Sequence, residues 1–340
     1  MNKIITISIP AYNRPETLSR LLNSIPSECS DDIDILVIED NSPKRLEIRK
    51  VIVQFRDKGL FDVKYIENEE NLGFDGNIKK LVEKGEGEYM MLMGDDDFFI
   101  KNNLYSYIEF VKKNRNLGYI LKNWKYLHSS GWEEPMNYFS KSQLFEPGVV
   151  TLLKLFRISV AMSGFNIKRE YLTGLSTDIF NGTLLYQIYL LSEVVLKYPC
   201  GYCDIPIVYS MKEKTEVPFF GNSENEKHLY DPGIITIRNS VNFMMSFFRI
   251  SDYLDEKYKI NFSEKLRKNL SKYSYRVLAI QRQRVGTIDF IFYFRQLNDR
   301  VKINNTIYYY IYFIALLIFG TKICDSLLFL TKRIFRKTPN

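Results

Sequence analysis

Tyr89-Met90-Met91-Leu92-Met93-Gly94-Asp95-Asp96-Asp97 joins five apolar residues to three consecutive carboxylates through one glycine. The apolar run does not alternate with polar residues, so it predicts a strand buried on both faces, as in a parallel sheet. Carboxylates crowded at its C-terminal end repel one another and raise the cost of folding. A divalent cation would relieve that repulsion, and oxygen-only ligands suit Mg²⁺ or Mn²⁺. The same cation could hold a diphosphate, so the chain reads as an enzyme that handles a nucleotide-activated substrate.

Upstream, apolar runs and amphipathic stretches alternate. Ile4 to Ile9 is a β-rich run ended by Pro10. Asn13 can cap a helix with Pro15 in its first turn and Leu18, Leu21, Leu22 and Ile25 at helical spacing. Ile33 to Ile38 predicts a second strand, stopped by Glu39-Asp40-Asn41-Ser42-Pro43, and a helix carrying Leu46, Ile48, Val51, Ile52 and Phe55 follows. Val63 to Ile66 is a short third strand, and after Asn71-Leu72-Gly73-Phe74 a third helix runs to about Lys84. This order predicts an α/β fold, a mostly parallel sheet with helices on both faces. Ligands of such sheets bind at the carboxyl ends of the strands. Those ends carry Pro10–Arg14, Glu39–Asn41, Asn68–Gly73 and Asp95–Asp97.

Beyond Asn102 the pattern is mixed. Leu104 to Lys113 predicts a helix, Gly118 to Leu121 a strand, and the polar, aromatic stretch Ser129–Gln143 a loop. Ser163 to Ile167 reads as a strand or turn, Leu184 to Leu196 as a buried helix, and Gly201–Tyr209 as a last strand. Residues 215–230 are polar and expected to be mobile, and 233–298 read as helices. Four segments result: 1–100 and 101–212 as the halves of one α/β domain, 213–300 as a helical extension, and 301–340 as a tail.

The whole chain carries +7, yet residues 251–340 hold 17 Lys/Arg against 7 Asp/Glu, which leaves −3 for the first 250. A basic region next to the most apolar segment fits an anionic membrane surface better than nucleic acid. That segment is Ile307 to Phe319, broken by Gly320-Thr321-Lys322 and Asp325, resumed at Leu327–Leu330 and closed by Lys332-Arg333-Ile334-Phe335-Arg336-Lys337. A spanning helix needs about 20 apolar residues, and extending the run buries Lys322 and Asp325. Helices lying in the interface, with tyrosines at headgroup level, are therefore expected over a true span or an ordinary core helix. The four cysteines, Cys29, Cys200, Cys203 and Cys324, are too few for a disulfide framework. Cys200-Gly201-Tyr202-Cys203 has knuckle spacing but no second pair, so two core thiols are expected there. The N-terminus enters a strand directly with no signal peptide, which predicts a cytoplasmic catalytic part.

Four motifs, Ser8-Ile9-Pro10-Ala11-Tyr12-Asn13-Arg14-Pro15, Val37-Ile38-Glu39-Asp40-Asn41-Ser42, Asn71-Leu72-Gly73-Phe74-Asp75-Gly76-Asn77 and Gly94-Asp95-Asp96-Asp97, resemble family 2 glycosyltransferases of the GT-A, Rossmann-like fold. The nearest branch is that of abequosyl- and rhamnosyltransferase-like enzymes of bacterial surface polysaccharides (O-antigen or capsule), and the resemblance covers roughly residues 3–210. It implies that Pro10, Ala11, Tyr12, Arg14, Glu39, Asp40, Asn71, Gly73, Asn77, Asp95 and Asp96 hold a nucleotide sugar. Tyr12 would stack on or edge the base, Asp40 would accept from a pyrimidine N–H, and Arg14 would approach the diphosphate. Packing under the loop and capping of the next turn are the plainer roles of Tyr12 and Asp40. The aspartate run corresponds to the family's DXD motif, with Asp96 and Asp97 as metal ligands. Gly94 stands where many relatives carry the first acid, and Asp95 is extra.

The resemblance further implies one displacement with inversion, in which a carboxylate takes the acceptor hydroxyl's proton. Relatives place this base before an apolar helix, but Gly182-Thr183-Leu184-Leu185-Tyr186-Gln187 holds no acid. Asp178 upstream is the first candidate and Glu193 downstream the second, with Glu133, Glu134 and Glu146 behind them. Ser163 and Gly164 resemble a small turn near the acceptor, and Trp124 and Trp132 could stack on sugar rings. The implied protein moves a sugar to a lipid-linked glycan at the cytoplasmic face of the bacterial inner membrane, held peripherally or monotopically. Oligomerisation is open and no nucleic-acid partner is implied. The missing base supports an alternative, a catalytically inactive membrane-bound nucleotide-sugar-binding or scaffold protein.

Overall fold

The computed structural model describes residues 3–212 and 220–335, with backbone alone for 328–335. The chain divides into two compact units, residues 1–234 and 235–340. The first begins β1 (Ile5–Ala11), α1 (Pro15–Asn23), β2 (Ile33–Glu39), α2 (Arg45–Arg56), β3 (Val63–Glu67), α3 (Gly73–Lys84) and β4 (Tyr89–Leu92). It continues with β5 (Phe98–Phe99), α4 (Asn103–Lys113), β6 (Tyr119–Leu127), β7 (Glu133–Met136) and β8 (Gln143–Phe145). It ends with α5 (Val149–Leu155), β9 (Phe165–Lys168), α6 (Tyr186–Val195) and β10 (Cys200–Met211).

Strand β1 lies between β2 and β4, parallel to both, so that Ser8 faces Leu36 on one side and Leu92 on the other. β3 extends this half in parallel beyond β2. β1 is buried everywhere but at Pro10, and β4 throughout, which is why neither alternates. The three parallel crossovers put the ends of β1, β2 and β4 on one edge, beside the start of α3.

Past β4 the ten-stranded sheet becomes mixed, in the order β3-β2-β1-β4-β9-β6-β10-β5. β9 runs antiparallel between β4 and β6. β10 is parallel to β6, with bulges around Pro206. The stretch expected to be a loop over Ser129–Gln143 contains β7, which pairs with β6, and leads into β8, which pairs with β10. These rim strands are half-exposed, so no apolar run marks them, and Pro135 suits an edge strand. The two-residue β5 was likewise not expected from sequence. α6 is buried along its entire length, Gln187, Ser192 and Glu193 included, as its largely apolar composition predicts. Cys200 and Cys203 are free, buried thiols of β10.

The second unit contains α7 (Ile237–Tyr258), α8 (Phe262–Lys272), α9 (Tyr275–Arg284), α10 (Thr287–Gln296), a π-helical turn over Leu297–Val301 and α11 (Ile307–Phe335). Phe247, Phe248, Leu266, Phe290, Tyr293 and Tyr309 form its core. Tyr309, Leu316 and Cys324 of α11 are buried, whereas Ile311, Ile314, Ile318, Phe319, Ile323 and Leu327 are exposed. Gly320 takes non-helical angles (φ 68°, ψ 178°) and breaks α11. Ile307–Leu327 is long and apolar enough to cross a membrane by length and composition. The side chains of the basic run Lys332–Lys337 lie outside the described residues.

Candidate active site

The ends of β1, β2 and β4 and the start of α3 surround a cavity of about 350 Å³. Pro10, Tyr12, Arg14, Asp40, Asn71, Gly73, Asn77, Asp95 and Asp96, all singled out from sequence, line it. Phe74, Gly94, Met162, Leu184, Phe220 and Glu226 complete the lining.

Asp95 fastens the loop after β1 to the end of β4. Its Oδ2 accepts the Tyr12 N–H at 3.1 Å and its Oδ1 accepts from Arg14 Nη1 at 3.0 Å. Burial pushes its carboxyl up to about 7, Arg14 pulling it down and Asp96 adding to the rise. Asp96 Oδ2 stands 3.4 Å from the same guanidinium nitrogen. Its main-chain carbonyl accepts from Arg20 Nη2 at 2.7 Å. Asp97 turns inward: its carboxylate accepts from the Ser163 hydroxyl, which in turn accepts the Gly94 N–H at 3.0 Å. The extra acid of the triplet therefore holds the loop, and Asp97 does not line the cavity. A Cβ on Gly94 would lie 3.0 Å from Asp96 Oδ1 and Ser163 Oγ, so any larger residue there would crowd both.

Asp40 is buried, with Oδ1 accepting from Asn68 Nδ2 at 2.7 Å and Leu72 N–H at 2.9 Å, and Oδ2 from Gly73 N–H at 2.9 Å. Burial raises its pKa and these donors oppose the rise. Asn71 Oδ1 also accepts the Gly73 N–H, and Asn77 donates to the Ile38 carbonyl. Glu39 and Ala11 do not reach the cavity. Glu39 is fully buried and accepts from the Asn41 and Ser42 amides and from Arg45 Nε at 2.8 Å. Ala11 is buried and its carbonyl accepts the Asp40 N–H.

The residues singled out in the second half go elsewhere. Ser163 and Gly164 sit behind the triplet, Ser163 through its Asp97 and Gly94 bonds. Trp124 is buried in β6 and donates to the Tyr138 hydroxyl. Trp132 is exposed, its ring 4.5 Å from that of His128. Asp178 lies on an exposed loop, paired with Lys79 at 2.6 Å, and this bond lowers its pKa. Glu193 is buried on α6 beside Lys197 at 3.3 Å. Glu133 pairs with Lys125 and Glu134 with Lys212.

An acid does reach the acid-free window before α6, but it comes from α3. Asp75 is fully buried; Oδ2 accepts the Leu184 N–H at 2.8 Å and Oδ1 the Tyr186 N–H at 2.9 Å. It serves as a cap for α6 supplied from another helix. Burial pushes it up to about 7 against the pull of those two amides. Glu226, whose pKa burial also raises, brings a further carboxylate to the cavity. Asp75 stands inside the Asn71–Asn77 motif, but only the folded chain reveals its bonds to the window before α6, and Glu226 stands neither at a strand end nor in a motif.

Residues 6–168 match the family model described as glycosyl transferase family 2. Abequosyltransferase RfbV of Salmonella typhimurium is 33% identical over 101 residues, 30% of this chain and 30% of that protein. The GalNAc(5)-diNAcBac-PP-undecaprenol beta-1,3-glucosyltransferase of Campylobacter jejuni is 26% identical over 120 residues, 35% of this chain and 37% of that one. The match thus spans about a third of these relatives' length. The crystal structure of S. aureus TarS 1-349 in complex with UDP-GlcNAc superposes with a TM-score of 0.51 at 15% identity, over 96% of this chain and 92% of that one. This likeness establishes a shared GT-A-type α/β fold. Over residues 6–168, just under half of its length, the chain is thus similar to glycosyl transferase family 2.

Proposed function

We propose that this protein transfers a sugar from a nucleoside-diphosphate donor to a lipid-linked glycan, with inversion and with help from Mg²⁺ or Mn²⁺. The observation that carries the reading is the charge of the cavity. Among the described residues, Asp40, Asp95, Asp96 and Glu226 line it against one cation, Arg14. A diphosphate entering such a wall is repelled unless a cation comes with it.

Among the described residues no three of His, Cys, Asp and Glu come together as a metal cage. Mg²⁺-type ions are often held by one or two carboxylates plus substrate phosphates, and Asp96 in the cavity wall fits that donor set. Asp96 would hold the ion, while Asp97, expected from sequence as a second ligand, is turned away to Ser163 behind the cavity. When bound, the ion would neutralise charge on the departing nucleoside diphosphate. Arg14, fixed by Asp95, supports the same charge from the protein side. Tyr12 offers a ring to the nucleoside, and Asp40 retains acceptor capacity beside its three protein donors.

Asp178 is the proposed base, because its loop is exposed whereas Glu193 is buried on α6. The acids' positions outside the cavity favour a second reading, a nucleotide-sugar-binding protein without catalysis. The names of the Salmonella and Campylobacter relatives support sugar transfer, and the second names a lipid-linked glycan acceptor. The exposed apolar face of α11 supports attachment to a bilayer; an anionic surface on the cytoplasmic side is part of the proposal. The break at Gly320 and the bond from the Tyr275 hydroxyl to Asp325 at 2.6 Å support a surface helix rather than a straight span.

The test incubates the full chain with Mn²⁺, a panel of nucleotide sugars and polyprenyl-diphosphate-linked acceptors. Transfer with release of nucleoside diphosphate is expected, along with loss of transfer in Asp178→Asn. Donor binding without turnover would establish the second reading instead.

A further inference from the structure

The stretch expected to be mobile contains a segment that the fold binds closely. Glu226 is 2% exposed. Its Oε1 accepts the Phe74 N–H at 2.7 Å and its Oε2 the Gly221 N–H at 2.7 Å. Asn225 Nδ2 donates to the Leu72 carbonyl at 3.3 Å, and the Tyr230 hydroxyl to the Thr183 carbonyl at 3.4 Å. Two glycines make room for the segment. At Gly73 (φ +75°) a Cβ would lie 2.3 Å from Ser223 Oγ and 2.5 Å from Glu226 Oε1. At Gly182 (φ +79°) it would lie 2.6 Å from the Asn225 carbonyl oxygen and 2.7 Å from Leu229 Cδ1. Residues 220–230 therefore lie across the first turn of α3 and the loop before α6, and both of those elements line the cavity.

We infer that residues 220–230 are a clasp that completes the nucleoside-diphosphate site, with Phe220 as its wall and Glu226 as the positioning residue that holds the wall. The inference rests on the reading of the cavity as a donor site. Glu226 bonds the amide next to Phe220, so its carboxylate fixes where that ring meets the cavity. The same carboxylate also sets the donor's orientation. A helix start with free N–H groups attracts phosphate. Here Asp40 takes the Leu72 and Gly73 amides and Glu226 takes that of Phe74. The diphosphate is thereby directed to Arg14 and to a cation at Asp96, which leaves the aromatic lining, Tyr12, Phe74 and Phe220, for the nucleoside.

The experiment is calorimetric titration of the full chain with UDP, CDP, GDP and dTDP, each with Mn²⁺, alongside steady-state kinetics. For the best-bound nucleotide, Glu226→Ala should weaken binding by about tenfold or more, as expected for losing a buried charged hydrogen-bond pair. Phe220→Ala should weaken it by several-fold, and Glu226→Gln, which keeps one acceptor oxygen, should fall between parent and Glu226→Ala. The loss should fall on KM for the donor more than on kcat, a split that general destabilisation would not produce. Parent-like nucleotide affinity in folded Glu226→Ala would overturn the clasp. Should that variant not fold, parent-like affinity in Phe220→Ala would overturn it. If the parent chain binds none of the four nucleotides, the donor-site reading falls first, and the clasp with it.

Discussion

The parallel half of the sheet, β1 to β4, and the mixed half, β5 to β10, treat their polar residues differently. At the ends of the parallel strands, nine residues recognisable from sequence converge on one cavity. In the mixed half, Trp124, Trp132, Ser163, Gly164, Asp178 and Glu193 scatter to the core, the surface and an ion pair. The reason is geometric. All strands of a parallel sheet end on the same edge, so position at a strand end gives position in space. Once β9 reverses between β4 and β6, strand ends point both ways, and order along the chain no longer says which edge a residue occupies.

The sharpest way to break this contrast is Asp96→Asn. It should lower transfer on the order of 10²- to 10³-fold, the size of effect seen when one preorganised charge partner is removed, while the melting temperature stays near the parent's. Transfer at the parent rate would remove Asp96 from the machinery. Trp124 tests the opposite half. It is a core residue, so Trp124→Ala should cost about 3–5 kcal/mol in urea unfolding. A fully stable variant with weakened acceptor binding would return it to the site.

Asp75 links the two halves, and Asp75→Ala should cost about 1–3 kcal/mol for the amides it leaves without acceptors. The cost should also depend on pH. Asp75 is raised to about 7 in the fold, against about 3.9 in an unfolded chain. Its stabilising contribution is thus complete below about pH 4 and is lost as pH rises through about 7. The parent-minus-variant stability difference should therefore shrink across that window. A flat difference would show that Asp75 titrates normally. The smallest effect is expected at Trp132, where the ring is exposed. Trp132→Ala should stay within about 0.5 kcal/mol and leave the acceptor KM unchanged; a raised KM would place a sugar on that ring.

Legibility followed burial. Ile5–Ala11, Ile33–Glu39 and Tyr89–Leu92 declare themselves because two buried faces demand an unbroken apolar run. Strands β7 and β8 stayed hidden because half-exposed rim strands tolerate Glu133, Glu134 and Pro135. The acidic triplet stood out as a group, but its division of labour did not. Asp95 binding Tyr12 and Arg14, and Asp97 binding Ser163, depend on partners 66 to 83 positions away in the chain. Glu226 was the least legible, since its partner Phe74 lies 152 residues upstream.

The amino-acid sequence by itself determined the parallel core, the edge on which a ligand must sit and the strand-end residues that meet there. Those properties follow from local apolar pattern and from the fixed direction of parallel strands. Only the tertiary structure decided which carboxylate faces the cavity, which one caps α6 and which one fastens residues 220–230 over α3. A buried carboxylate goes where unpaired N–H donors need it, and those donors are brought within reach only by the folded chain.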